Sequence, residues 1–527
     1  MNIRAASLMA GAMVAALLVN SPPAPAQVAQ SGPQRQAQQQ EGLCRRAPAP
    51  IALPPEREAR NERSSEAIVT HLERPRPPEL RAPSPPPAVL AVEPPPASAP
   101  VEASRRPPPP AGGASSDEEE SVVVTGTRVR RADYAASSPV TEARGPSAYA
   151  YRGDADRRPE PGLLTAGDYD DLLNPHLYAR YVEGFLENES LPDVPRVDTR
   201  RVLELSVRDP QGRDVPFAAV TLTCADGNQL TLATMADGTA VFFPELDRLG
   251  SSVTVSVEHE GRATRLGSLI LTRNARAQRR TITLDTPAEN VRRLDLALVI
   301  DTTGSMADEL EYLKTDLDAI VGDLNQRHQN VDIRVALVAY RDHGDEYVTR
   351  TFDFTTDVGD LRMDLSRQRA DGGGDYPEAV EDALARAVAL NWREEAVRSL
   401  LFVADAPPHA DDVGAAWRSV EAARARRIQI VPVGASGVGP GAEYFMRAAA
   451  VLTQSRYIFL TDDSGIGNPH AEPSVDCYLV TSLGASIRRV LDSQISGRRI
   501  EPRERDIIRA VGEYDHGRCR RPQVLRR

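Results

Sequence analysis

The sequence predicts an α/β fold built on a doubly wound, mostly parallel sheet. A small all-β sandwich and a disordered, proline-rich N-terminal region precede it. Three observations carry this. From about residue 292 to 496, apolar strand-like runs alternate with helical stripes, the pattern of a parallel sheet covered on both faces. Between residues 200 and 288 the apolar period shortens to two, in brief runs separated by turn residues. The 43 prolines crowd into the first third of the 527 residues, where few long apolar faces occur.

Residues 1–26 read as an export signal. Arg4 supplies the positive start, Ala5 to Val19 the apolar core, and Ala24-Pro25-Ala26 before Gln27 a small-residue cleavage site. The core is short for a bilayer span, and a retained anchor is the alternative. No other segment is long and apolar enough to cross, and Cys44 lies too far downstream for lipidation. The mature chain is therefore expected to lack a transmembrane span and to be periplasmic or secreted, in a Gram-negative envelope.

Residues 27–160 follow as a disordered linker, with runs such as Pro94-Pro-Pro96 and Pro107-Pro-Pro-Pro110 that extend the chain. One window departs from this: Asp117-Glu-Glu-Glu120, then Ser121-Val-Val-Val-Thr125-Gly-Thr-Arg128. It is β-prone and can add as a strand to another protein's sheet edge; a chance patch is the alternative. Residues 117–131 resemble the TonB box of outer-membrane receptors, without a receptor's plug and barrel. The resemblance implies docking to a TonB-type periplasmic protein.

A net charge of −12 argues against nucleic acid as a partner, and the pairs Arg279-Arg280, Arg498-Arg499 and Arg520-Arg521 lack aromatic neighbours. Cys44, Cys224, Cys477 and Cys519 fit no zinc spacing. An exported setting permits disulfides, with Cys477–Cys519 the first pairing expected and free buried thiols the alternative.

Residues 161–199 carry a short helical pattern through Leu172, Leu173, Leu177, Tyr181 and Phe185. Seven candidate strands then fill 200–288, at 202–207, 219–223, 230–233, 240–243, 253–257, 269–271 and 281–284. The stretch from Asp209-Pro-Gln-Gly to Val215-Pro216, with Ala236-Asp-Gly-Thr-Ala240, resembles transthyretin-like or carboxypeptidase-regulatory sandwiches. That resemblance implies a spacer or binding module.

In 292–496 the expected strands are Leu294–Ile300, Val331–Tyr340, Leu400–Ala404, Ile428–Val433 and, last, Tyr457–Leu460, with Tyr347–Phe354 as an antiparallel edge. Helical faces run through Met306, Leu310, Leu313 and Leu317, through Val380, Leu384 and Val388 after Pro377, through Trp417 to Ala423, and through Leu483 to Leu491. Residues 497–527 are left as a tail.

Three loops of this region fall at one edge of the sheet. The first presents Asp301, Thr303 and Ser305. The second, Ala370-Asp-Gly-Gly-Gly-Asp375-Tyr-Pro377, presents Asp375, with Asp371 a lesser donor. The third presents Asp405. Carboxylates and hydroxyls are hard oxygen donors, suited to Mg²⁺, Mn²⁺ or Ca²⁺. In order and spacing these loops resemble the metal-ion-dependent adhesion site of a von Willebrand factor A domain. Asp301, Thr303 and Ser305 match its Asp-x-Ser-x-Ser loop, Thr303 keeping the hydroxyl, while Asp375 and Asp405 match the second and third loops. The resemblance implies a Rossmann-type doubly wound fold, Mg²⁺ as the usual ion, and a protein ligand bound through an acidic or carbonyl oxygen.

The expectation is thus an exported, metal-dependent protein-binding chain, for adhesion or scaffolding, and not an enzyme. The alternatives are an envelope adaptor acting through residues 117–131, and a metal-assisted hydrolase. Ser305 lacks the G-x-S-x-G elbow of a hydrolase. Arg341-Asp342-His343-Gly344-Asp345 reads as a hydrogen-bonded rim loop, or else as a general base or second metal site. His409 is a candidate to orient the third loop, and the loop from Asp462 to His470 offers polar groups to a partner or to its own turns.

Overall fold

Described in the computed structural model are residues 44, 51, 53, 160–272, 277–467, 469–470 and 472–520. The expected signal, nearly all of the linker and the 117–131 window lie outside the described residues. Among the described residues no helix is long and apolar enough to cross a membrane.

The chain first lays down β1 (Thr165–Tyr169) and α1 (Pro175–Asn188). Seven strands follow: β2 (Leu203–Arg208), β3 (Ala219–Thr223), β4 (Gln229–Ala233), β5 (Thr239–Phe242), β6 (Ser252–His259), β7 (Arg262–Ile270) and β8 (Gln278–Thr283). They form two sheets, β5-β2-β8 and β4-β3-β6-β7, around one apolar core that includes Leu203, Leu205, Val220, Leu222, Val255 and Ile282. The inward residues alternate along each strand, as in Leu203-Leu205-Val207, so period two in the sequence becomes one buried face.

The α/β part continues with β9 (Arg293–Asp301), α2 (Leu310–Arg327), β10 (Asp332–Tyr340), β11 (Thr349–Thr355), α3 (Val358–Arg367) and α4 (Val380–Ala389). Then come β12 (Val397–Ala404), α5 (Val413–Ala425), β13 (Ile428–Gly434), α6 (Pro440–Leu452), β14 (Tyr457–Thr461), β15 (Tyr478–Ser482), α7 (Leu483–Ser496) and β16 (Arg509–Val511). One nine-stranded sheet collects them in the order β11-β10-β9-β12-β13-β14-β1-β15-β16. Strands β10, β9, β12, β13 and β14 are parallel, and β11 is the antiparallel edge. Along β9, Leu296, Leu298 and Ile300 enter one apolar layer while Ala297 and Val299 enter the other. Helices α2, α3 and α7 cover the first face and α1, α4, α5 and α6 the second.

Four boundaries differ from the sequence reading. Residues 161–199 hold a strand as well as the expected helix: β1 inserts between β14 and β15, antiparallel to both. Tyr457–Leu460 is not the last strand, since β1, β15 and β16 extend the sheet beyond it. The region after 497 is no loose tail, because β16 pairs with β15, and a hairpin of Tyr514–Asp515 with Arg518–Cys519 follows. The first helix also begins later than expected. A short 3₁₀ turn, Gly304–Asp308, holds Met306 before α2 starts at Leu310.

Cys477 bonds Cys519, the pairing expected first, and anchors that hairpin beside β15. Cys44 bonds Cys224 at the sandwich. The sandwich is joined to the α/β part by a buried ion pair: Arg424 on α5 donates to both Asp247 oxygens at 2.6 and 2.8 Å and to the Val241 carbonyl at 3.1 Å.

Candidate metal centre

Strands β9 and β12 run side by side with Ile300 opposite Val403, so Asp301 ends one strand where Asp405 opens the loop after the other. From β9 the chain crosses to β10 on one side and later returns to β12 on the other. These strand ends therefore flank the crevice where strand order reverses, the place where open α/β sheets bind ligands.

The first loop is tightly built. Asp301 is fully buried. Its Oδ1 accepts from the Thr303 amide at 2.9 Å and the Thr303 hydroxyl at 2.7 Å, and its Oδ2 accepts from the Tyr340 hydroxyl at 3.0 Å. Thr303 Oγ1 lies 3.1 Å from Ser305 Oγ, and the Ser305 hydroxyl also hydrogen-bonds the Asp405 carboxyl. A continuous chain of contacts thus links Asp301, Thr303, Ser305 and Asp405, four of the five donors expected from sequence.

The second loop docks on the first through its backbone. The Asp371 amide donates to Thr302 O at 3.1 Å, and the Gly304 amide donates to Gly372 O at 3.1 Å. Gly373 has φ 69°, and a Cβ there would come within 2.9 Å of Glu378 Oε1 and 3.2 Å of Thr303 Cβ. Only glycine leaves that space open. Asp375 stands outside the chain of contacts: it is exposed, and its charge acts on His409. The acid that the second loop buries is Glu378, which the sequence reading passed over as part of the following helix start. Its only sequence signal is its place one residue after Pro377.

These acids raise one another's proton affinity. Burial pushes Asp301 above the usual carboxylate range, and the charge of Asp342 adds to this against the pull of its Thr303 and Tyr340 hydrogen bonds. Burial and then the charge of Asp301 push Asp405 up in the same direction. Glu378 is pushed up to about 9, by burial and by the charges of Asp301, Asp342 and Asp405. Asp405 Oδ1 and Glu378 Oε2 are buried without a hydrogen-bond partner. Buried oxygen acceptors that lack both a donor and a positive charge are costly. A divalent cation would supply the missing charge, and the oxygen donors present fit one.

The surrounding loops are held by further contacts. Tyr376 accepts from the Gly439 amide at 2.6 Å and donates to Asp405 O at 3.2 Å, bridging the second loop to the third. His409 bonds Asp342 Oδ1 at 2.6 Å, so it orients the loop after β10. Asp345 in that loop accepts from the amides of Asp342 and Gly373 at 3.1 and 2.9 Å, as a hydrogen-bonded rim would. In the 462–470 loop, His470 bridges Asp462 and the buried Glu309 at 2.8 and 2.6 Å.

Residues 295–461 match the family model of the von Willebrand factor A domain. This stretch is a von Willebrand factor A domain. The chain is similar to the alpha-protein kinase vwkA of Dictyostelium discoideum, with 31% identity over 121 residues, 23% of this chain and 19% of that protein. It is also similar to an ariadne-like RING finger protein of Acanthamoeba polyphaga mimivirus, with 35% identity over 123 residues, 23% of this chain and 12% of that protein. The chain thus spans under a fifth of the length of the curated relatives it matches. Among solved structures, that of the conserved hypothetical protein BatB from Bacteroides thetaiotaomicron matches at 15% identity and a TM-score of 0.27, covering 38% of this chain and 98% of that one. The von Willebrand factor A domain points to a protein-interaction or adhesion-type role.

Proposed function

We propose that the von Willebrand factor A domain binds a protein partner through a divalent cation, Mg²⁺ by preference and Mn²⁺ or Ca²⁺ by the same chemistry. Asp301, Ser305 and Asp405 would hold the ion, with Thr303 supporting Asp301 and Glu378 balancing charge behind it. Asp375, on the exposed side, stands where a partner would arrive. Bound there, the ion offers a Lewis-acidic position to a carboxylate or carbonyl oxygen of the partner. The protein's own part is to fix the donors, keep them dry and shape the rim through Tyr376 and the His409–Asp342 pair. A binding role without turnover is proposed, because no activated nucleophile accompanies the oxygen donors among the described residues.

The observation that carries this reading is the pair of buried, unpartnered oxygens, Asp405 Oδ1 and Glu378 Oε2, beside Asp301. Two disulfides suit an extracellular or periplasmic setting, which is the compartment proposed. The test is a thermal melt of the full chain with Mg²⁺ and then with chelator. Mg²⁺ should raise the midpoint, since a ligand that binds only the folded form stabilises it. Asp301→Ala should abolish the response. A midpoint that neither Mg²⁺, Mn²⁺ nor Ca²⁺ moves would remove the metal from the proposal.

A further inference from the structure

A second set of ligand-type side chains lies outside the Asp301 cluster. The loop after β10 carries His343, whose Nε2 lies 2.8 Å from Glu381 Oε1 on the first turn of α4. Asp382 is the next residue of that turn. One ligand atom each from His343, Glu381 and Asp382 come within 4.8 Å of one another, the only such group among the described residues. Glu381 is 6% exposed, and its Oε2 has no hydrogen-bond partner. The His343 side chain is 47% exposed, which leaves an approach from solvent. The His409 ring is centred 5.7 Å from that of His343 and is occupied by Asp342.

Charge around the group is unbalanced. Asp412 faces both Glu381 and Asp382, and opposing them are His343 and Arg386. A neutral histidine donating one hydrogen bond to Glu381 satisfies one oxygen and leaves the other bare. A cation in place of that shared proton would engage both side chains and draw in Asp382.

We propose that His343, Glu381 and Asp382 form a second divalent-metal site of the kind that takes zinc. One imidazole with two carboxylates favours Zn²⁺ over Mg²⁺, whose preference is for oxygen alone. Three protein ligands leave a fourth tetrahedral position for water or an incoming group, and the exposed side of His343 provides room for it. The ion would tie the loop after β10 to α4. Because Asp345 of that loop holds the Gly373 amide, the tie extends to the second loop of the Asp301 cluster.

The experiment is calorimetric titration of the metal-stripped full chain with Zn²⁺ in saturating Mg²⁺, repeated with Co²⁺ as an optical probe. One equivalent should bind, and Co²⁺ should show the visible bands of a site with nitrogen ligation. His343→Ala and Glu381→Gln should each weaken uptake about tenfold or more, with melting midpoints in Mg²⁺ confirming that both variants fold. Asp301→Ala should leave Zn²⁺ uptake unchanged while losing the Mg²⁺ response. Absence of uptake, uptake that neither His343→Ala nor Glu381→Gln weakens, or uptake lost in Asp301→Ala would each overturn the proposal. The first two outcomes leave the Mg²⁺ reading intact, so the two sites fail separately.

Discussion

Two buried charge clusters sit at opposite edges of the same sheet. At the carboxyl ends of the parallel strands, Asp301, Asp405 and Glu378 act on one another's charge, with no arginine or lysine as a hydrogen-bond or ion-pair partner among the described residues. At the other edge, beside the start of β14, Asp168 and Asp171 are as deeply buried, yet each is matched. Asp168 meets Arg456, Arg489 and Arg499, which together hold it below the usual carboxylate range against the effect of burial. Asp171 accepts twice from Arg447 at 2.7 and 3.0 Å, and the same guanidinium reaches Glu443 at 3.0 Å. One cluster carries its own arginines, and among the described residues the other carries none. The contrast separates acids paired by arginines from acids whose charge the proposed cation would balance.

The strongest way to break the comparison is Arg447→Met. It strands Asp171 and Glu443 in the interior, and should cost about 3–5 kcal/mol in denaturant unfolding, the usual penalty for an uncompensated buried charge. Mg²⁺ should act next most strongly, at the other edge. At about a hundredfold excess over its Kd it should add about 2.7 kcal/mol, read as a higher unfolding midpoint. Asp405→Asn should reverse the sign seen with Arg447. Without metal it removes one repelling charge and should be neutral or gain on the order of 1 kcal/mol, while the Mg²⁺ response disappears. An equal loss in both variants would mean that the two clusters do not differ in kind.

The smallest effect concerns pH. The three acids bind protons more tightly folded than unfolded, so their contribution to stability is present at low pH and lost as pH rises. In chelator, the melting midpoint should therefore fall from the ordinary carboxylate range up through about 9, where Glu378 titrates. Mg²⁺ should flatten that fall. A metal-free midpoint that instead rises steadily to pH 9 would show that the acids are already neutralised.

Much of this was legible in the sequence where burial and chemistry agree. Leu294–Ile300 is apolar on both faces apart from Asp295, so it reads as a central strand, and the acid that ends it reads as a ligand. Asp295 itself is tolerated because Arg334 and Arg393 pair with it. Strand β1 was hidden for the converse reason. Thr165-Ala-Gly-Asp-Tyr169 has no apolar run, and its buried Asp168 becomes acceptable only through three arginines distant in sequence. Gly167 is there because a Cβ would lie 2.5 Å from the Phe459 ring, a contact that no local pattern announces. Glu378 escaped because an acid after proline usually opens a helix. Here the helix waits until Val380, and the acid turns inward.

The position of β1 has a consequence for making this protein. Its partners β14 and β15 are translated about three hundred residues later, after the whole sandwich and most of the sheet. A truncated fragment starting near residue 290 would carry the family-matched region but leave two neighbouring strands with bare edges, open to self-association. The smallest piece worth expressing therefore starts ahead of Thr165. During synthesis, the growing chain must keep that segment unpaired until β14 and β15 have emerged.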